Sequence, residues 1–65
     1  MRMKVFHVGD RVRLSEELLR YSANKHWLGK RGTVVGSDGG YPLVQWDHLD
    51  KPHHEPYDHI ELAPF

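Results

Sequence analysis

Apolar and polar residues alternate in three short stretches of this 65-residue chain, at residues 11–14, 44–47 and 59–62. An alternation of period two places every second side chain on the same face of a strand. We therefore expect three strands, each with one apolar and one polar face. A further strand comes from residues 33–35. The apolar members of these strands form the predicted core: Val12, Leu14, Val34, Val44, Trp46, Ile60 and Leu62.

A β-hairpin is predicted at the centre of the chain. Its two strands are Thr33–Val35 and Leu43–Trp46, and the Gly-rich stretch 36–42 connects them. Two runs of β-branched or aromatic residues around such a connection are typical of a hairpin. Gly39 and Gly40 can adopt the positive φ angles that a tight tip requires.

The pattern changes from a strand to a helix after Leu14. Ser15 is a favourable N-cap, and Glu16 and Glu17 lie in the first turn, where the helix dipole stabilises acidic side chains. We expect one or two turns of helix, with Asn24 ending it in a left-handed conformation. Residues 25–31 then lead back to the hairpin, and Trp27 and Leu28 are expected to cover one end of the core.

The region between the hairpin and the last strand is polar. Residues 48–58 include two prolines, and proline cannot donate to a strand ladder. We expect at most one short edge strand there. No internal repeat is visible, so the interpretation is a single domain, 1–65, with an ordered core at about 6–62.

The amino-acid composition excludes several classes of function. The chain has no cysteine, which excludes disulfides and thiolate chemistry and suits a reducing compartment. The N-terminus lacks the apolar segment of a signal peptide, and no apolar run approaches the roughly 20 residues of a membrane helix. We expect a cytoplasmic protein, encoded by a bacterium or phage, with no membrane partner.

The net charge is zero, but the charges are divided unevenly. Residues 1–31 hold eight Lys or Arg and three acids, whereas residues 32–65 hold one Lys and six acids. If the first and last strands meet, the two halves can neutralise each other. A segregated charged face is the alternative. We expect the acids of the second half to offset Lys25, Lys30 and Arg31.

The order of the predicted elements resembles a small SH3-like barrel. Residues 8–14 resemble the "xGDxVxV" opening strand of such barrels, and residues 57–62 resemble their final helical turn and closing strand. Residues 29–36 are similar to the KOW segment of ribosomal proteins and transcription elongation factors. Residues 44–47 are similar to the "VxWD" strand of the mind-bomb/HERC2 interaction domains. The β subunit of nitrile hydratases also opens with a similar strand, which implies a structural role.

These resemblances imply an all-β fold, namely an SH3-like five-stranded small barrel with a short helix inserted between strands 1 and 2. They also imply two alternative functions. One is a protein-protein binding or adaptor module, as in the mind-bomb/HERC2 domains. The other is binding of RNA or single-stranded DNA, as in KOW domains.

Each function has its own candidate residues. Basic residues interleaved with aromatic ones are typical of single-strand binding, and this combination occurs at Lys25, Trp27, Lys30, Arg31 and Tyr41. Packing in the core is the alternative interpretation of Trp27 and Tyr41. Exposed Tyr57 or Phe65 could instead anchor a protein partner. The neutral charge balance favours the protein partner, since affinity for phosphate depends on accumulated positive charge.

Neither metal binding nor catalysis is expected. His53, His54, Glu55, Asp58 and His59 fall in one region, but adjacent histidines of an extended chain point apart, and zinc needs three or four convergent ligands. No nucleophile elbow or phosphate loop is present. The sequence therefore predicts no metal site, no cofactor and no enzymatic activity.

Overall fold

A computed structural model describes residues 5–64, and these residues form a mostly β structure. The strands are β1 (Arg11–Leu14), β2 (Gly32–Asp38), β3 (Tyr41–Trp46), β4 (His53–His54) and β5 (Ile60–Leu62). A short helix, α1 (Glu16–Leu19), follows β1. Two 3₁₀ helices complete the fold, the first at Ser22–Trp27 and the second at Tyr57–His59.

The five strands form one antiparallel sheet in the order β4-β3-β2-β1-β5. The first and last strands of the chain are therefore neighbours, as expected. The all-β prediction is confirmed. Among the described residues β4 and β5 do not pair with each other, so the sheet is open rather than closed into a barrel. The short edge strand expected between the hairpin and the end of the chain is β4.

The predicted hairpin is present, with longer strands than the sequence indicated. Its register pairs Val34 with Val44 and Asp38 with Tyr41, which leaves only Gly39 and Gly40 in the turn. Their φ angles are 59° and 86°, both positive as a two-residue type I′ turn requires. The register shifts by one residue between Val34 and Gly36. Val35 is the extra residue of this β-bulge, and its side chain is exposed.

The helical region is built differently from the prediction. Ser15 caps α1 as expected, because its Oγ accepts a 3.3 Å hydrogen bond from the Leu18 backbone N–H. The prediction for Asn24 is wrong, since this residue lies inside the first 3₁₀ helix. Its Nδ2 instead donates to the Leu18 carbonyl at 3.0 Å. The Leu18 carbonyl at the end of α1 thus accepts this bond in addition to one from the Tyr21 backbone N–H at 3.2 Å.

The core lies on one face of the sheet. Six of the seven predicted core residues are buried: Val12, Leu14, Val34, Val44, Trp46 and Ile60. Leu62 is not, because 60% of it is exposed. It is the last residue of the terminal strand β5 and lies between two open surface grooves. The alternation of β5 continues to Leu62, but nothing in the described structure covers it.

Gly32 lets two strands of the core approach closely. It pairs with Val12 of β1 and with Trp46 of β3. A Cβ at this position would lie 2.7 Å from Val44 Cγ1 and 3.0 Å from Trp46 Cε3. The space a side chain would fill is therefore occupied by the core itself, which explains a glycine in the middle of the sheet.

Candidate functional site

Trp27 packs against the core and is not presented to solvent as a free ring. Its ring makes edge contacts with Trp46, at a centroid distance of 5.0 Å and an angle of 62°, and with His48, at 5.1 Å and 78°. The expectation that Trp27 covers one end of the core is confirmed. The same expectation for Leu28 is wrong, since Leu28 is 68% exposed.

Trp46 is the centre of this aromatic group. It is fully buried, and its indole Nε1 donates a 2.8 Å hydrogen bond to Glu55 Oε2. A buried indole N–H needs such a partner, since leaving it unsatisfied costs about 1–3 kcal/mol. This bond ties the polar segment after β3 to the core. Glu55 therefore has a structural contact that the sequence pattern did not indicate.

The residues from Arg20 to Arg31, here called the basic segment, carry four cations and no acid. They comprise the C-cap of α1, the first 3₁₀ helix and the connection to β2. Within residues 5–64 none of the four, Arg20, Lys25, Lys30 and Arg31, forms an ion pair with a carboxylate. Arg31 donates only to the neighbouring carbonyl of Lys30, at 3.1 Å. Any offset of this cluster by second-half acids is therefore not made through direct ion pairs among the described residues.

Those acids pair with the arginines of β1 instead. Arg11 donates to both carboxylate oxygens of Asp47, at 2.8 and 2.6 Å, and to Thr33 Oγ1 at 2.9 Å. Arg13 donates to Glu61 at 2.8 and 2.6 Å. The sheet order places β1 between β2 and β5, so both arginines reach acids from the second half of the chain. These two ion pairs between the halves of the chain therefore lie on the polar face of the sheet.

The contact between Arg11 and Asp47 shifts both ionisation equilibria. The hydrogen bond from Arg11 lowers the pKa of Asp47 below its ordinary value, with a smaller Coulombic contribution from the same guanidinium. The hydrogen bond to Asp47 raises the pKa of Arg11. Each partner favours the charged form of the other. Both side chains are largely exposed, so solvent screens the pair.

Tyr41 lies far from the other predicted nucleic-acid residues. It pairs with Asp38 at the hairpin tip, whereas Arg31 directly precedes Gly32 at the opposite end of β2. A strand of this length separates the two positions by roughly 20 Å. Lys25, Trp27, Lys30 and Arg31 are thus close along one segment, Trp27 faces the core, and Tyr41 is not part of the group.

A groove of 360 Å³ runs along the basic segment. The sequence pattern does not indicate it. It lies where β1, α1 and the first 3₁₀ helix meet, and its lining combines aliphatic and charged side chains: Arg13, Glu16, Leu19, Arg20, Lys25 and Leu28. The one feature of the sequence that points to this groove is the absence of acidic residues between Glu17 and Asp38.

The two predicted protein-binding anchors have different outcomes. Tyr57 is half-buried, and its ring stacks on Phe6 with a centroid distance of 6.4 Å and an interplanar angle of 15°. It therefore already has an aromatic partner within the fold. Phe65 lies outside the described residues.

The histidine-rich region forms contacts but no cluster of metal ligands. His54 Nε2 lies 2.7 Å from Asp38 Oδ2, which joins β4 to the hairpin tip. Among residues 5–64 no group of three or more His, Cys, Asp or Glu side chains converges as a metal site requires.

No protein-family model matches this chain, and no curated protein or solved structure is significantly similar to it. Within the described part of the chain, no helix has the length and apolar content needed to cross a membrane.

Proposed function

We propose that this protein is a small non-catalytic binding module and that its partner is another protein. The observation that carries the proposal is the position of Trp27. Its ring packs edge-on against Trp46 and His48. Binding of single-stranded nucleic acid needs aromatic rings on which bases can stack. Because Trp27 packs against the core, it does not provide such a ring beside the cations.

The location of Tyr41 supports the same proposal. A stacking platform must lie beside the phosphate-binding cations to act on the same strand of nucleic acid. Tyr41 is instead at the far end of the hairpin, beside Asp38. The exposed residues that do accompany the cations include Leu28, which is 68% exposed. An exposed aliphatic side chain fits a protein surface better than a polynucleotide.

We also propose that the fold is of the SH3-like barrel type, with the strand ladder left open between β4 and β5. Its support is the pairing of the first and last strands and the 3₁₀ turn at Tyr57–His59 immediately before β5. Binding without catalysis agrees with the exposed position of the closest histidine–carboxylate contact, that of His54 and Asp38. Among the described residues, neither lines the groove beside the basic segment or the two grooves beside Leu62.

Nucleic-acid binding is the second candidate function. It is favoured by the four cations of the basic segment, which have no carboxylate partner among the described residues. Unpaired Lys and Arg can each neutralise a phosphate and release a counterion. Tyr21, which is 61% exposed and adjacent to Arg20, could add one stacking ring.

Titration of the isotopically labelled protein with oligothymidylate or oligouridylate, followed by backbone amide shifts near neutral pH, separates the two functions. We expect weak shifts along the basic segment that disappear at physiological salt, because few counterions are released. Micromolar or tighter binding at that salt would overturn the protein-partner proposal. The loss of such binding in a folded Lys30→Glu, Arg31→Glu double variant would then assign it to the basic segment.

A further inference from the structure

Side-chain hydrogen bonds connect the backbone segments that line the groove beside the basic segment. Its walls come from α1 and the first 3₁₀ helix, and two hydrogen bonds hold these elements in place. Ser15 Oγ accepts from the Leu18 backbone at the start of α1, and Asn24 Nδ2 donates to the Leu18 carbonyl at its end. A groove held by such contacts loses little conformational freedom when a ligand binds.

The side chains that line the groove carry more positive than negative charge. Arg13 is already held by Glu61 at 2.6 Å. Arg20 and Lys25 form no ion pair within the described residues, and Glu16 is the only carboxylate of the lining. Beyond the groove, Lys30 and Arg31 continue the positive charge along the basic segment. An acidic ligand would therefore meet complementary charges.

The lining also contains aliphatic side chains, those of Leu19 and Leu28. Leu28 is 68% exposed and Leu19 is half-buried. A single exposed leucine is ordinary on a protein surface. Here it lies in a concave site beside two unpaired cations, where a ligand that covers it would gain from burying its apolar surface.

From these observations we propose that the groove binds an acidic segment of another protein, one that carries an aliphatic side chain among its carboxylates. This inference rests on the proposed function and assigns that function its site. The carboxylates would bind Arg20 and Lys25, and the aliphatic side chain would pack on Leu19 and Leu28. A phosphate backbone could satisfy the cations but would leave the leucines without a partner.

The test uses the full chain, labelled for amide shifts, and three synthetic probes. The first is a short peptide of Asp and Glu with a central pair of leucines. The second replaces those leucines with serine, and the third replaces the acids with Asn and Gln. We expect the first probe to shift amides of α1, the first 3₁₀ helix and Leu28, and to bind at least roughly tenfold more tightly than either of the others.

Matched variants test the two halves of the site. Lys25→Glu should weaken the first probe by roughly tenfold or more, while Lys51→Glu, the same charge change at an exposed position outside the groove, should leave it almost unchanged. Leu28→Ala should weaken binding as well. Leu62→Ala is its control, because Leu62 is 60% exposed and does not line this groove. Circular dichroism and thermal unfolding confirm that each variant is folded.

The outcomes distinguish failure of the inference from failure of the proposed function. Absence of groove shifts with the first probe at millimolar concentration overturns the inference, as does equal binding of the probe without leucines. Shifts located instead around Tyr57 and Leu62 overturn the groove as the site and leave protein binding in place. Tighter binding of oligothymidylate than of the first probe, at physiological salt, overturns both.

Discussion

The indole N–H of Trp46 and the carboxylate of Glu55 are joined by a 2.8 Å hydrogen bond that spans nine positions of sequence. Trp46 is fully buried, while Glu55 is half-buried in the segment that follows β4. The bond satisfies a polar atom in the core and fixes the path of a polar, proline-containing segment. Trp46, at the end of β3, therefore contacts both Trp27 and the segment that follows β4.

Removal of the Trp46 side chain should unfold the domain or nearly so. Trp46→Ala leaves a cavity among Val44, Trp27 and the other core residues, and we expect a loss of roughly 3–5 kcal/mol in the free energy of unfolding. So small a domain has little more stability than that. Urea denaturation followed by circular dichroism measures it.

Tyr41→Ala is the control, since Tyr41 lies on the same strand and is 49% exposed. Its effect should be much smaller than that of Trp46→Ala. A folded Trp46→Ala variant with nearly unchanged stability would contradict the assigned core.

Gly32 should not tolerate even a methyl group. In Gly32→Ala the new Cβ would lie 2.7 Å from Val44 Cγ1, so the core must shift, at a cost of about 1–3 kcal/mol. Gly36→Ala is the matched control on the same strand, because a Cβ there meets nothing within 4 Å and the φ angle is outside the left-handed region. It should be neutral or stabilising by up to about 1 kcal/mol. Thermal unfolding of both variants in parallel decides the matter, and equal melting temperatures would refute the close approach.

The ion pair between Arg11 and Asp47 should make stability depend on pH in a defined direction. The pKa of Asp47 is lowered in the folded state, so the folded state binds fewer protons than the unfolded state. The contribution is complete above the ordinary Asp pKa and is lost as the pH falls through the lowered value. Because the pair is exposed, we expect about 0.2–1 kcal/mol, reduced further by salt.

A double-mutant cycle with Asp47→Asn and Arg11→Met measures this coupling. Comparison of unfolding curves for the native chain and Asp47→Asn removes the contribution of the other carboxylates. The stability difference between them should shrink as the pH falls below about 4. A difference that stays constant over the acidic range would show that the pair contributes nothing.

Zinc should not stabilise the protein. His54 Nε2 is engaged with Asp38 at 2.7 Å, and zinc needs three or four convergent ligands. Addition of zinc should therefore leave the melting temperature unchanged, since only a ligand that binds the folded state raises it. A stoichiometric, zinc-dependent increase that disappears in His54→Ala would establish a metal site in this region.

Local pattern was sufficient for several features of the fold. The period-two alternation placed Val12 and Trp46 in the core, because neighbouring side chains of a strand point to opposite faces. The N-cap role of Ser15 and the positive φ angles of Gly39 and Gly40 follow from the sequence, since both depend on chemistry within a few residues. The pairing of the first and last strands was also expected and is present.

The tertiary structure alone decided which exposed groups have partners. Leu62 continues the alternation of Ile60 yet is exposed, because burial depends on what lies across from a side chain. Arg11 binds Asp47, which is 36 positions away, whereas Lys25 forms no ion pair in the described structure. Sequence shows how many charges a chain carries, but register and strand order determine which of them come within hydrogen-bonding distance. The groove beside the basic segment is also a result of packing, since it forms where three consecutive elements, β1, α1 and the first 3₁₀ helix, meet.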